Sequence, residues 1–255
     1  MCRLLGVVAR RPGPLGELLA EEIPEFVALS REHGDGWGVA SWSGTAPAVA
    51  RDVDAAHRSA RFDMVQRTTT DAGLLHIRMA SAGSPLTAQN THPFTGQRMA
   101  FAHNGFFSPR DALDELIPAD LLATATGDTD SERYFLLLRG LLREHEPAAA
   151  LALAAERIRL RATAFASLNC LLLTDDALYA YSEQDLDSEV TRRRGPDFFR
   201  LRYQVTDERV VVGSSGMPNA QQGWTELPER HVLEIRRGDL RVTVHPTAPQ
   251  VAAAS

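Results

Sequence analysis

Apolar residues along this chain fall into short runs bounded by turn residues, and most runs have the length and composition of β-strands. The predicted strands are 2–9, 36–43, 73–79, 98–103, 164–174, 177–182, 199–206, 209–213, 230–236 and 240–245. Turn dipeptides at Asp175-Asp176, Asp207-Glu208 and Gly238-Asp239 separate consecutive runs, which indicates antiparallel hairpins.

A helical period of apolar residues is confined to the first half and the middle of the chain. Thr129 and Glu132 have the spacing of a capping box, and apolar residues recur every three or four positions after them. A second central helix is predicted over 147–161, because a proline suits its first turn. The other helical segments are 16–30, broken at Pro24, and 54–67.

The order of these elements predicts the fold class. Strands come first, two central helices follow and strands return, without the regular alternation of a parallel sheet. This order favours an α+β fold in which antiparallel sheets are covered by helices. Because no linker interrupts the pattern, one domain is predicted over residues 1–245, followed by a disordered tail over 246–255.

Composition narrows the class of protein. The 255 residues are 44% hydrophobic, and 27 basic against 33 acidic residues give a net charge of −6. Nucleic acid is therefore not expected as a partner, and the arginine run 192–194 is predicted to be a solvated loop. No apolar stretch is long enough for a membrane span, and two cysteines without a disulfide framework favour a reducing cytoplasm.

Cys2, directly behind the initiator methionine, is the leading candidate for a nucleophile. Removal of Met1 leaves a thiol and a free α-amine on one residue. That amine titrates at about pH 7.7–8.0, so part of it is neutral in the cell and can accept the thiol proton. The alternative is that Cys2 only begins a buried strand, as free cysteines often do. Cys170, inside an apolar run, is predicted to be buried.

Three further polar positions lie at the ends of predicted elements. Arg78, near a strand end, can hold a carboxylate through two hydrogen bonds, with an ordinary surface ion pair as the alternative. In His103-Asn104-Gly105, the Asn side chain and the next backbone N–H can donate to one oxygen as an oxyanion hole, although Asn-Gly is more often a turn. Asp130 at a helix start stays ionised and can bind an ammonium group or cap the helix.

Cys2, Arg78, Asn104-Gly105 and Asp130, in this order, resemble the glutaminase domain of class II glutamine amidotransferases, a branch of the N-terminal nucleophile hydrolases. The first residues and the turn Asp35-Gly36-Trp37-Gly38 are similar to those of the stand-alone members, which include the ergothioneine-pathway γ-glutamyl hydrolase.

The resemblance implies a four-layer αββα sandwich and a thiol amidohydrolase. Such an enzyme cleaves the γ-glutamyl amide of glutamine or of a γ-glutamyl conjugate through a Cys2 thioester and releases glutamate. Asn104 and the Gly105 amide would hold the oxyanion. Arg78 would bind the α-carboxylate, Asp130 the α-ammonium group, and His103 is placed with these substrate-binding residues. The resemblance implies neither a metal nor an organic cofactor.

Two other functions remain open. Because the glutaminase-like domain is expected to occupy the whole chain, the protein either hydrolyses an amide outright or delivers ammonia to a separate synthetase subunit. A non-catalytic scaffold is disfavoured, since all the motif residues are present. Met79 stands where larger amidotransferases usually have an aromatic residue, which weakens any inference about closure over glutamine itself. No motif identifies the leaving group beyond the scissile amide.

Overall fold

The computed structural model describes residues 2–81, 83–216 and 223–247. Its strands are β1 Arg3–Pro14, β2 Trp37–Ser43, β3 Ala46–Asp52, β4 Thr69–Ile77, β5 Phe94–Gly96, β6 Met99–Ser108, β7 Ala164–Leu173, β8 Ala177–Ser182, β9 Leu201–Val205, β10 Arg209–Ser214, β11 Trp224–Glu226, β12 His231–Arg236 and β13 Val242–Pro246. Its helices are α1 Leu15–Leu18, α2 Ile23–Leu29, α3 Ala60–Val65, α4 Ala119–Leu122, α5 Asp130–Leu141, α6 Pro147–Arg161 and α7 Glu189–Arg194. Short 3₁₀ turns cover Ala56–Arg58 and Asp114–Leu116.

The described strands form two sheets. The seven-stranded sheet has the order β11-β9-β10-β1-β4-β2-β3, so β1 lies at its centre between β10 and β4. The six-stranded sheet has the order β13-β12-β8-β7-β6-β5. Every pairing between these strands is antiparallel, including the three hairpins that the turn dipeptides predicted.

Three hydrophobic clusters divide the molecule into four layers. The inner cluster lies between the sheets and contains Leu4 and Ala102, one from each sheet. On the outer face of the first sheet, Leu5 packs in one cluster with Phe26 of α2. On the outer face of the second sheet, α5 and α6 bury their apolar residues. Each sheet thus buries both faces, and the predicted four-layer αββα sandwich is confirmed.

The capping signal before α5 is confirmed in part. The Thr129 hydroxyl accepts a hydrogen bond from the Glu132 amide at 3.1 Å, as a capping box predicts. The Glu132 carboxylate does not return to Thr129; it accepts from the backbone amides of Thr126 and Gly127 instead. Glu132 therefore fixes the loop that leads into the helix.

Several elements depart from the predictions: β3, β5, β11 and α4 were not predicted, and the causes are clear for β3 and for α7. β3 was not predicted, because this strand lies at the sheet edge and none of its residues is fully buried, which leaves little hydrophobic alternation. The arginines 192–194 are exposed as predicted, but the prediction of a loop is wrong, since they form the last turn of α7. The Ser188 hydroxyl caps that helix and Gly195, with φ +95°, ends it. Three cations in a last turn are favoured by the helix dipole.

The ordered domain extends two residues past its predicted end. Pro246 is the last residue of β13, and the Thr247 amide donates to the Arg230 carbonyl at 3.1 Å. The rest of the predicted tail, residues 248–255, lies outside the described residues. Among the described residues, no helix combines the length and the hydropathy that a membrane crossing requires.

Candidate active site

The pairing of β1 with β4 brings the candidate nucleophile beside the candidate carboxylate-binding arginine. Arg3 lies opposite Ile77 in this antiparallel register. Cys2, which directly precedes Arg3, and Arg78, which directly follows Ile77, are therefore neighbours. The Cys2 thiol lies 3.8 Å from the Met79 carbonyl oxygen and donates to it. Cys2 is 8% exposed, at the end of the gap between the two sheets.

Burial and nearby charges act on the Cys2 sulfur in opposite directions. Burial raises the pKa of the Cys2 thiol, while the positive charge of Arg78 opposes that increase. The negative charge of Asp130 adds to the increase in pKa. The charges of Arg78 and Asp130 therefore both influence the pKa of the Cys2 thiol. The thiol is protonated at rest and requires a base before it can attack.

Arg78 has one end anchored and the other free. Its Nη2 donates to the Ser84 hydroxyl at 3.2 Å and to the Pro85 carbonyl at 3.1 Å. Its Nη1 is buried and has no hydrogen-bond partner among the described residues. Burial lowers the pKa of the guanidinium, and the Asp35 carboxylate acts against this. A buried cation with an unused donor is suited to an incoming carboxylate.

The glycine-rich turn supports Arg78 through its backbone. The Arg78 amide donates to Gly36 at 2.8 Å, and the Asp35 amide donates to the Arg78 carbonyl at 3.0 Å. The Asp35 carboxylate also accepts from the Ala80 amide at 2.8 Å. Gly36 has φ +127°, and a Cβ on Gly38 would overlap the His92 carbonyl oxygen. The motif that the sequence presented as a plain turn thus holds the arginine in place.

Asn104 lies on the inner face of β6, on the same side as Ala100 and Ala102. Its amide Nδ2 is 3.5 Å from the Ser214 hydroxyl, and its Oδ1 is buried without a partner among the described residues. Gly105 permits a close approach of β7, because a Cβ there would overlap the Ser167 carbonyl oxygen. Ser214 connects Asn104 to Leu4, two residues beyond Cys2, and Asn104-Gly105 stays a prediction for the oxyanion hole.

Asp130 is the first residue of α5, but it does not cap the helix, since Thr129 has that role. Its Oδ2 accepts a hydrogen bond from the Phe107 amide at 2.8 Å. Its Oδ1 accepts from the Ser131 hydroxyl at 3.4 Å. β6 thus holds a half-buried carboxylate whose charge is felt at the Cys2 sulfur.

His103 is buried next to Ser131, the residue that follows Asp130. It is 1% exposed, and both ring nitrogens are engaged: Nδ1 with the Ser131 hydroxyl at 2.9 Å and Nε2 with the Ser167 carbonyl at 3.0 Å. Burial lowers the pKa of His103, so the ring is neutral. Because Nε2 donates to the Ser167 carbonyl, Nδ1 of the neutral ring accepts the proton of the Ser131 hydroxyl, and the longer contact from Ser131 to Asp130 at 3.4 Å competes for that proton.

Sequence reasoning missed two supporting residues. Ser214 ends β10 and bonds to Leu4 of β1 as well as to Asn104. Nothing in its apolar strand marks it as functional. Asp35 was identified only as part of a turn, although the acidic residue between two glycines was a usable signal. Among the described residues, no group of three or more His, Cys, Asp or Glu side chains could hold a metal ion.

A group of buried neutral histidines surrounds the base of this site. His76, His92 and His103 are 0%, 4% and 1% exposed, and the rings of His76 and His92 stack with centroids 4.2 Å apart. Burial lowers the pKa of His76 to about 3 and also lowers the pKa of His92 and His103. Protonation of any of them in the folded state is therefore disfavoured.

We expect the free energy of unfolding to fall as the pH is lowered below about 6.5, because histidines take up protons in the unfolded chain but not in the folded one. For His76, whose folded pKa is about 3, this cost is about 2 kcal/mol between about pH 7.5 and pH 5, and it grows further towards pH 3. The lowered pKa values of His92 and His103 add to the loss in the same direction. Urea unfolding across this range measures the effect. His145→Gln, at an exposed position, should keep the wild-type pH dependence. Equal stability at both pH values would contradict the prediction.

Comparisons with known proteins identify the family of the chain. The family model for class-II glutamine amidotransferases matches residues 1–255. A γ-glutamyl-hercynylcysteine sulfoxide hydrolase from Mycobacterium tuberculosis is 23% identical over 252 residues, covering 95% of this chain and 96% of that protein. A Haemophilus influenzae protein assigned to the glutamine amidotransferases is 30% identical over 149 residues, covering 56% of this chain and only 48% of that protein.

A solved structure supports the fold. The glutamine aminotransferase class-II domain protein from Silicibacter pomeroyi superposes with a TM-score of 0.68 at 23% identity, covering 97% of this chain and 100% of that one. At this identity the likeness concerns the fold, and it is the same pair of antiparallel sheets covered by helices.

Proposed function

The chain belongs to the class II glutamine amidotransferases, and we propose that it is a thiol amidohydrolase that releases glutamate from γ-glutamyl amides. The substrate is glutamine or a larger γ-glutamyl conjugate. One observation carries the proposal: the register of β1 and β4 places Cys2 beside Arg78, whose Nη1 has no partner among the described residues, and the Asp130 charge acts on the same sulfur. A glutamyl head group is a zwitterion, so a site for it needs one cation and one anion within reach of the nucleophile.

Each charged group of the glutamyl head has a binding partner in this site. The unpartnered Nη1 of Arg78 binds the α-carboxylate. Asp130, whose carboxylate is held by the Phe107 amide, binds the α-ammonium group. His103 fixes Ser131, the residue that follows Asp130, and so acts on the substrate site indirectly.

The reaction begins when removal of Met1 frees the α-amine of Cys2. Burial raises the pKa of the thiol, so the proton must be taken by a base, and the amine accepts it through a water molecule. The sulfur then bonds to the γ-carbon, and the carbonyl electron pair moves to the oxygen. Asn104 and the Gly105 amide stabilise that oxyanion.

Collapse of the tetrahedral intermediate breaks the carbon–nitrogen bond. The leaving amine takes the proton from the protonated α-amine of Cys2, which leaves a γ-glutamyl thioester on Cys2. Water attacks the thioester and gives its proton to the α-amine. The carbon–sulfur bond breaks, glutamate leaves, and the thiol recovers its proton.

Similarity along the whole chain favours outright hydrolysis over delivery of ammonia. The Mycobacterium tuberculosis hydrolase matches over 96% of its own length, whereas the first relatives match over 48% and 44% of theirs. A relative of the same extent that is named for hydrolysis of a γ-glutamyl conjugate supports a conjugate as the substrate here.

The test is a panel of γ-glutamyl compounds, including glutamine and γ-glutamyl amino acids, assayed for glutamate with the full chain. We expect glutamate and free amine in equal amounts, and an intact mass that lacks Met1. Turnover by protein that retains Met1 would overturn the N-terminal nucleophile. Release of ammonia from glutamine that depends on a co-purifying protein would favour the synthetase subunit. No glutamate from any compound would refute the proposal.

A further inference from the structure

Ser214 connects the two halves of the site. It is 3% exposed and lies on the inner face of β10, in line with Val210 and Val212. Its hydroxyl accepts a hydrogen bond from the Leu4 amide at 2.9 Å, two residues beyond the nucleophile. The same hydroxyl lies 3.5 Å from Nδ2 of Asn104, which belongs to the other sheet. It therefore joins the nucleophile strand to the oxyanion-hole strand.

The hydrogen bonds around this hydroxyl are incompletely satisfied. A serine hydroxyl has one proton to donate and two lone pairs, and the Leu4 amide occupies one lone pair. Its proton has only the Leu4 carbonyl at 3.4 Å as an acceptor, and the contact to Asn104 is equally long. Meanwhile Oδ1 of Asn104 is buried without a partner among the described residues. An orphaned buried acceptor costs about 1–3 kcal/mol.

Rotation of the Asn104 amide by half a turn about χ2 pairs the Ser214 proton with Oδ1, and it leaves the NH₂ group instead of the oxygen without a partner among the described residues. The hydroxyl of Ser214 then donates to Oδ1, and the NH₂ group takes the position where Oδ1 has no partner. An NH₂ group there offers donors that no described residue uses, at the end of the inter-sheet gap that also contains Cys2. An oxygen at that position would instead repel an oxyanion.

We propose that Ser214 is a positioning residue for amide hydrolysis, which holds Asn104 with its NH₂ group directed into the site. The inference rests on the proposed function, in which Asn104 stabilises the oxyanion. Ser214 acts through Asn104 and does not touch the substrate. Because the oxyanion exists only in the transition state and intermediate, loss of the hydroxyl lowers kcat and leaves KM nearly unchanged.

Ser214→Ala should lower kcat by about 10- to 100-fold, less than the loss of the Asn104 donor itself. Ser214→Thr keeps the hydroxyl and should restore most of the rate. Ser182→Ala is the matched control: this serine is equally buried, and its hydroxyl has no partner among the described residues. The Ser182→Ala variant should keep wild-type kcat. Melting temperatures separate a catalytic effect from loss of the fold.

A double-mutant cycle decides whether Ser214 works through Asn104. In an Asn104→Ala background, Ser214→Ala should cost less than about twofold. Additive losses, or a Ser214→Ala variant with wild-type kcat, would overturn the inference. Ser214→Cys replaces the hydroxyl with a thiol, which is a weaker donor, and leaves no cavity. This variant should show the same loss of kcat even if the alanine variant does not fold. Activity of the wild-type chain on the γ-glutamyl panel tests the proposed function separately, because that assay involves no Ser214 variant.

Discussion

Cys2→Ala should abolish release of glutamate from γ-glutamyl amides while the protein still folds. Loss of an activated nucleophile typically lowers kcat by roughly 10⁴-fold or more, because the remaining groups bind the substrate but form no covalent intermediate. The fold should be little affected, since the thiol makes only a long contact to the Met79 carbonyl, at 3.8 Å. Alanine is smaller than cysteine and introduces no clash.

The two cysteines provide the control for this prediction. Cys170 is fully buried in β7 and contacts the Tyr134 hydroxyl at 3.6 Å, and burial raises the pKa of its thiol to about 12. Cys170→Ala should therefore retain activity. A glutamine-like diazoketone should label Cys2 and leave Cys170 unmodified, as peptide mass mapping would reveal. Unchanged turnover by Cys2→Ala, measured as glutamate release, would refute the nucleophile.

Arg78→Met should lower kcat/KM for γ-glutamyl substrates by about 10²- to 10³-fold, mainly through KM, because it removes one partner of a buried charge pair. Arg78→Lys should recover only part of this loss. An ammonium group keeps the charge, but it cannot both hold Ser84 and Pro85 and present a second donor to a carboxylate.

Truncated substrates separate recognition from damage to the site. 4-Aminobutanamide lacks the α-carboxylate of glutamine, so Arg78→Met should turn it over about as well as the wild type does. Glutaramic acid lacks the α-amine, so the Asp130→Asn variant should hydrolyse it about as fast as the wild type does. Arg98→Met, which removes an exposed ion pair with Asp175, should leave all these rates unchanged. If Arg78→Met lowers the rate of 4-aminobutanamide as much as that of glutamine, Arg78 does not bind the carboxylate.

Several elements could be predicted closely because their signals are local. α6 spans 147–161 and β8 spans 177–182, both as the sequence pattern predicted. Proline marks the first turn of α6, and a short apolar run between turns defines β8. By contrast, β3 and α7 were missed since they bury few side chains, so hydrophobic periodicity is weak in both. Their boundaries depend on pairing with β2 and on the Ser188 cap.

The local sequence indicates which residue types form the candidate site. It does not indicate which other residues hold them in place. Asp130 had two candidate roles in the sequence, and the structure gives the cap to Thr129 and the Asp130 carboxylate to the Phe107 amide. Likewise, the glycine-rich turn near residue 36 becomes a support for Arg78 only because β2 and β4 are neighbours.

The amino-acid sequence alone determined the main order of elements, the antiparallel class of fold and the candidates for the reactive side chains, because each rests on short-range pattern or on residue chemistry. The tertiary structure decided how those side chains are held. Ser214 meets Leu4 across 210 residues and Asn104 across 110, and no local pattern encodes such contacts. It also decided the protonation of the Cys2 thiol and of the buried histidines, since desolvation depends on what packs around a group rather than on its neighbours in the chain.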